Sequence, residues 1–215
     1  MRRIAVIIAA AIFGAGAGGA QAFDWSGFYA GVQAGYFAGA VEVYNSGYEQ
    51  DTIPINGPFV GGFAGFNVQH NSIVFGIEGD INFSNASGGQ YINNSVFYEG
   101  GGDIDMFGSI RKRVGIATDN WLFFGTAGLA FATGSYWTQY CPDGCNEPEY
   151  YDASLVGTVI GVGAEYALSD NVTIRKDLRF YNFGAQEVQL GQVEEDTVEF
   201  DLDAVTASVG ISWHF

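Results

Sequence analysis

The positive charges are the residues most capable of chemistry, because of where they stand. The chain has 8 Lys and Arg against 24 Asp and Glu. Arg2 and Arg3 sit at the extreme N-terminus, and the other six fall in two tight groups, Arg111-Lys112-Arg113 and Arg175-Lys176-Asp177-Leu178-Arg179. A solvated surface would scatter them. At a spacing of two, Arg111 and Arg113 share a face with Asp103, Asp105 and Ser109, while Arg175, Asp177 and Arg179 share one with Thr173 and Tyr181. Upstream, Glu78 and Asp80 share a face in the same way. Such faces can hold guanidinium–carboxylate pairs, for which Arg is suited by its bidentate fork. Paired carboxylates can also do acid–base catalysis, but only when one proton is held tightly in a substrate-accessible cleft. Here each acid has an arginine candidate, so the structural reading is preferred.

Other chemical motifs are weaker. His70 and His214 have no nucleophile and acid at a spacing that would form a Ser-His-Asp arrangement. Gly161-Val162-Gly163-Ala164 lacks the third glycine of a nucleotide loop and lies within a strand pattern. Cys141 and Cys145 bracket Pro142-Asp143-Gly144. In an exported chain that pair reads as a small loop disulfide, because two thiols without a nearby histidine do not make a metal site. No catalytic residue, cofactor or metal site is expected.

The elements that must position the charges follow from periodicity. From Val205 to Phe215 apolar and small or polar residues alternate, ending on Trp213-His214-Phe215. A period of two gives a strand one apolar and one polar face. A terminal aromatic on such a strand fits the last strand of an outer-membrane barrel, with Trp213 and Phe215 as its insertion signal. At the other end, Arg2 and Arg3, an apolar run Ile4–Phe13 and Ala20-Gln21-Ala22 read as a secretory signal, residues 1–22, leaving residues 23–215 as one barrel domain. The mature chain would carry 6 basic and 24 acidic residues, a net charge of −18, which argues against phosphate-mediated nucleic-acid binding.

Turn-like triplets recur at His70-Asn71-Ser72, Thr118-Asp119-Asn120 and Ser169-Asp170-Asn171. Longer polar stretches fall near 38–57, 84–102, 134–153 and 184–203 and read as loops. Eight strands remain, near 26–37, 58–69, 73–83, 103–117, 121–133, 154–168, 172–183 and 204–215. Each approaches or exceeds the roughly 9–11 residues that cross a bilayer at a tilt. The expected fold is all-β: an eight-stranded antiparallel up-and-down transmembrane barrel. Trp25, Phe28, Trp121, Tyr166, Trp213 and Phe215 would form the periplasmic aromatic belt, with Tyr36, Tyr136, Trp137, Tyr150 and Tyr151 toward the other side.

An eight-stranded barrel is only wide enough for its own side chains to fill. The expected lumen network therefore joins Arg111 and Arg113 to Glu78, Asp80 and Asp105, and Arg175 and Arg179 to Glu165 and Asp177. With Ser169-Asp170-Asn171 as the turn, Leu168 would pair with Val172 and Glu165 with Arg175. Strand alternation puts Lys112 and Lys176 on the lipid side near mid-height.

The chain resembles the small outer-membrane β-barrel surface antigens of α-proteobacteria, a porin-family group with an OmpA-like barrel. The resemblance rests on Asp24-Trp25-Ser26-Gly27-Phe28-Tyr29-Ala30-Gly31, Ser109-Ile110-Arg111-Lys112-Arg113-Val114-Gly115 and Gly125-Thr126-Ala127-Gly128-Leu129-Ala130. Gly161-Val162-Gly163-Ala164-Glu165-Tyr166, Phe180-Tyr181-Asn182-Phe183-Gly184 and the terminal Trp213-His214-Phe215 complete it. The chain departs from the family pattern at Lys112, Lys176 and Asp177. The resemblance implies envelope integrity and surface exposure, and some members are described as porin-like or as binding small ligands such as haem. The expected function is a non-enzymatic structural barrel in the Gram-negative cell outer membrane. Its partners would be lipopolysaccharide or another outer-leaflet lipid, and the barrel insertion machinery. A small porin or ligand channel, and a lipid-modifying barrel enzyme, are the alternatives.

Overall fold

A computed structural model describes residues 23–44, 51–91, 98–140, 147–189 and 197–215. The signal segment 1–22 and the cysteines Cys141 and Cys145 lie outside the described residues. Eight strands run β1 Gly27–Tyr44, β2 Asp51–His70, β3 Ile73–Tyr91, β4 Tyr98–Thr118, β5 Trp121–Tyr140, β6 Glu149–Ser169, β7 Val172–Gln189 and β8 Thr197–His214. Each pairs antiparallel with its sequence neighbours, and β1 pairs with β8 from Tyr29↔His214 to Tyr44↔Glu199, closing the barrel. Closure leaves no unpaired strand edge in a medium that cannot hydrogen-bond it.

One end of the barrel is made of tight hairpins. Asn71-Ser72, Asp119-Asn120 and Asp170-Asn171 are two-residue turns. Asn71 and Asp119 take φ of 55° and 52°, the left-handed conformation that two-residue hairpins require and that Asn and Asp tolerate. At the third turn Ser169 pairs with Val172, and the register shifts between Ala167 and Ser169. Leu168 is therefore the extra, outward residue and not the partner of Val172, while Glu165 still falls opposite Arg175.

The strands are much longer than the sequence pattern indicated. Most of 38–57, 84–102, 134–153 and 184–203, expected as loops, continues the strands. The pattern misleads because only the membrane-crossing part needs an oily outer face. On β3 the outward residues Ile73, Phe75, Ile77, Ile81 and Phe83 are exposed and apolar, and Asn85 follows. On β6 the exposed apolar run ends at Val156 and gives way to Ser154 and Asp152. This band of about 11 residues matches a bilayer crossing. Beyond it the strands stand above the membrane with a mainly polar outer surface.

Inside, side chains fill the barrel in three layers. Phe23, Trp25, Val74, Leu122, Phe124 and Ala167 pack at the hairpin end. Charges occupy the middle. Above them lies an apolar layer built around Phe37, Ile55, Phe59, Phe107, Tyr181 and Phe183. Inward glycines leave room for large partners opposite: a Cβ on Gly31 would run into the Phe63 ring, and one on Gly65 into the Tyr29 hydroxyl.

Candidate functional site, a charge-filled lumen

The middle layer is set by strand alternation and register. Glu78 and Asp80 point inward from β3, Arg111 and Arg113 from β4, Glu165 from β6, and Arg175, Asp177 and Arg179 from β7, all at most 7% exposed. These four guanidiniums and four carboxylates balance. An unpaired buried charge would cost several kcal/mol, so balance is what makes such a layer tolerable.

The ion pairs cross the lumen as well as linking hairpin neighbours. Glu78 is the hub. Arg175 donates to it through both terminal nitrogens, at 2.6 and 3.0 Å, and Tyr29 donates its hydroxyl at 2.7 Å. Arg111 also donates to Glu78 and lies 3.2 Å from Asp80, while Arg113 approaches Glu78 at 3.8 Å. Arg113 is tied more closely to Glu165, and its guanidinium stacks 3.8 Å above the Phe124 ring. Arg179 bridges Asp177 at 3.0 Å and Asp80 at 3.3 Å, and Asp177 also accepts from Arg175. So Glu165 is held by Arg113 and not by its register neighbour Arg175, a change of partner that the hairpin geometry alone did not reveal.

Asp105 is not in the layer. It is exposed at a bulge where β4 loses register between Ile104 and Met106. One extra residue reverses inside and outside. Ile104 is buried where alternation from Arg111 would have put it outside, and Asp105 faces outward.

Neutral polar side chains complete the layer: Ser109, Thr173 and Asn82 fall on the charged faces that alternation indicates, whereas Gln33 and Ser212 were not picked out from sequence. Gln33 donates to Asn82 at 2.6 Å and accepts from Arg179 at 3.1 Å. Asn82 and Ser109 donate to Asp80 at 2.6 and 2.5 Å. Thr173 and Ser212 donate to Glu165 at 2.5 and 3.0 Å. The signal for Asn82 and Ser109 was spacing: Asn82 follows Asp80 by two, and Ser109 precedes Arg111 by two.

Below the charges, the mouth is sealed from inside. Trp25 was expected in the membrane belt, but it is fully buried. The segment before β1 turns into the barrel, with the Trp25 amide donating to Gln69 Oε1 at 2.9 Å. His214 packs among Phe23, Trp25 and Tyr29, ring centroids 5.1, 5.7 and 5.3 Å away, with Nε2 3.6 Å from Glu165. The lower belt on the outer surface is made by Phe28, Trp121, Tyr166, Trp213 and Phe215, with Trp121 stacked on Phe123. Tyr36, Phe83, Phe131 and Phe180 mark the upper edge of the apolar band.

Lys112 and Lys176 face outward within that band. Lys112 stands between Ile77 and Ala127 on the adjoining strands. A lysine near the bilayer midplane costs about 2–4 kcal/mol. Lys112→Leu is therefore expected to stabilise the barrel by about 2 kcal/mol, read as a higher urea midpoint in phospholipid vesicles. Among the described residues, no group of three or more His, Cys, Asp or Glu could hold a metal ion.

The comparisons with known proteins agree with this fold. A family described as "Outer membrane protein beta-barrel domain" matches residues 7–215. The chain is 30% identical over 206 residues to the 31 kDa outer-membrane immunogenic protein of Brucella melitensis biotype 1, covering 90% of this chain and 85% of that protein. It is 26% identical over 193 residues to the 22 kDa outer membrane protein of Rhizobium leguminosarum bv. viciae, covering 88% and 79%. The crystal structure of the outer membrane protein OprG from Pseudomonas aeruginosa superposes with a TM-score of 0.57 at 9% identity, covering 88% of this chain and 96% of that one, a likeness of fold alone. An oily outer band, a closed eight-stranded barrel and these relatives place the protein in the Gram-negative outer membrane, in a lipid environment. The chain belongs to the outer membrane protein β-barrel domain family, among the small outer-membrane immunogenic barrel proteins of α-proteobacteria.

Proposed function

We propose that this protein is a non-conducting structural anchor of the cell envelope that presents the upper ends of its strands at the cell surface. The observation that carries the reading is the neutral, side-chain-filled lumen, in which Glu78, Glu165, Asp80 and Asp177 are each engaged by arginine. No carboxylate of that layer is left to serve as an acid or base toward a substrate, and the two apolar layers flank the charges on either side. The immunogenic character named for the Brucella relatives supports surface exposure. An epitope tag inserted between β7 and β8 is expected to bind antibody on intact cells, whereas one at Asn71-Ser72 binds only after lysis. The reverse pattern would overturn the orientation.

In this reading residues 1–22 are removed on export, so that Phe23 begins the mature chain and its ring closes the lower mouth. Outer-leaflet lipopolysaccharide surrounds the upper band, and the insertion machinery reads the terminal strand. Phe215 is 84% exposed, and its amide donates to the Phe28 carbonyl at 2.9 Å. It contributes little to the core, so its role lies in assembly. Deleting Phe215 is expected to lower the outer-membrane level about tenfold in cells, while the refolded protein loses no more than about 1 kcal/mol, the net worth of one hydrogen bond. Quantitative blotting of membrane fractions and urea titration of the purified barrel separate the two effects.

A further inference from the structure

Above the apolar band, two outward glycines and two outward rings line up across one side of the sheet. Gly89, Gly101, Trp137 and Tyr150 stand in one row across β3, β4, β5 and β6, paired Gly89↔Gly101, Gly101↔Trp137 and Trp137↔Tyr150. All four point outward. The indole of Trp137 lies directly on the two glycines: a Cβ on Gly89 would come within 2.9 Å of it, and one on Gly101 within 2.8 Å. Gly101 is buried by this cover, although its position faces out. Any side chain at either glycine would lift the ring. Tyr150 beside it is 66% exposed. The next row toward the membrane is polar and also outward: Ser87↔Asp103, Asp103↔Ser135 and Ser135↔Asp152.

The height of this shelf identifies what it meets. The last lipid-facing apolar residues on β5 and β6 are Phe131 and Val156. Six residues further, at roughly 2.5 Å of height per residue of tilted strand, the rings stand roughly 15 Å above the apolar band. That is beyond the acyl chains, so the pair is not part of the membrane belt. Charge narrows the chemistry further. The six basic residues of the mature chain all stand at 111–113 and 175–179, so the shelf carries acids and hydroxyls and no cation. A phosphate finds no counter-charge there. A sugar ring finds an aromatic face for its apolar C–H side, and carboxylate and hydroxyl groups for its hydroxyls.

We propose that the Trp137–Tyr150 shelf is a carbohydrate-binding surface that stacks on the core sugars of the outer leaflet. The proposal rests on the orientation given above, which the epitope tags read independently. If the β7–β8 tag is external and sugar does not bind, only the shelf assignment fails.

The test uses the full mature chain, labelled with 5-fluorotryptophan and held in phosphatidylcholine nanodiscs. Its Trp137 resonance is assigned by Trp137→Phe. Core oligosaccharide freed of lipid is expected to shift the Trp137 resonance and leave those of Trp25, Trp121 and Trp213 in place. Tyr150→Ala, checked for folding by its unheated gel mobility, is expected to weaken binding about tenfold, the size of one lost aromatic stack. No shift with oligosaccharide, or a shift only in nanodiscs doped with lipid A, would overturn the assignment. Unchanged affinity in Tyr150→Ala would overturn it as well.

Discussion

Glu78→Gln should destabilise the barrel by about 3–5 kcal/mol, the cost of removing one partner from a buried ion network. The substitution preserves shape and removes only charge. It strips Arg175 of a two-pronged acceptor at 2.6 and 3.0 Å, strips Arg111 of its nearest carboxylate, and weakens the acceptor of the Tyr29 hydroxyl. The layer would go from neutral to one net positive charge in a space with no bulk water to screen it. Asp105→Asn provides the contrast, because that carboxylate is exposed at the β4 bulge, and a surface change away from special features stays within about 0.5 kcal/mol. Urea titration of both variants in phospholipid vesicles, followed by the difference in gel mobility between heated and unheated samples, measures the gap. Equal stabilities would mean that the layer holds its charges more loosely than its distances imply.

The contrast between Glu78 and Asp105 also shows what a sequence can reveal about such a molecule. Alternation is local, so the shared face of Glu78 and Asp80 on β3 and the inward placement of Arg111, Arg113, Arg175 and Arg179 could be read directly. A bulge is a single added residue with no composition of its own, and Asp105 was therefore assigned to the wrong side. Partner choice across the lumen depends on the register of strands distant in sequence: Arg113 meets Glu165 from 52 residues away, and Arg179 meets Gln33 from 146. The strand extensions were read as loops because polar, glycine-rich outer faces look alike whether they belong to a loop or to a strand standing in water. Trp25 was assigned to the belt because it is an aromatic residue at a strand end, like Phe28 and Trp213. Only the inward path of the segment before β1, fixed by the bond to Gln69, takes it into the lumen.

The second large effect concerns pairing itself. Arg113→Met alone strands Glu165, and Glu165→Leu alone strands Arg113, so each is expected to cost about 3–5 kcal/mol. Together they should cost much less than the sum, with a coupling of at least about 2 kcal/mol. The local structure favours this outcome. The thioether that replaces the Arg113 guanidinium would still lie against the Phe124 ring, over which that guanidinium now sits at 3.8 Å. Thr173 and Ser212, which both donate to Glu165, lie 2.6 Å apart and can bond to each other when it is gone. Arg113 also lies 3.8 Å from Glu78, so the double variant should retain a residual cost from that contact. A double-mutant cycle by urea unfolding gives the coupling directly. Simple additivity would show that the two charges are solvated separately and that water occupies the middle of the barrel.

Both effects depend on the lumen being closed by its own side chains, and electrical recording reads that property most directly. Purified mature protein reconstituted into planar bilayers is expected to give no steady single-channel current at moderate voltage in molar salt, while the same preparation shows the heat-dependent gel shift of a folded barrel. Steady, charge-selective conductance steps from that preparation would mean that ions pass through the arginine–carboxylate layer, and would contradict the account.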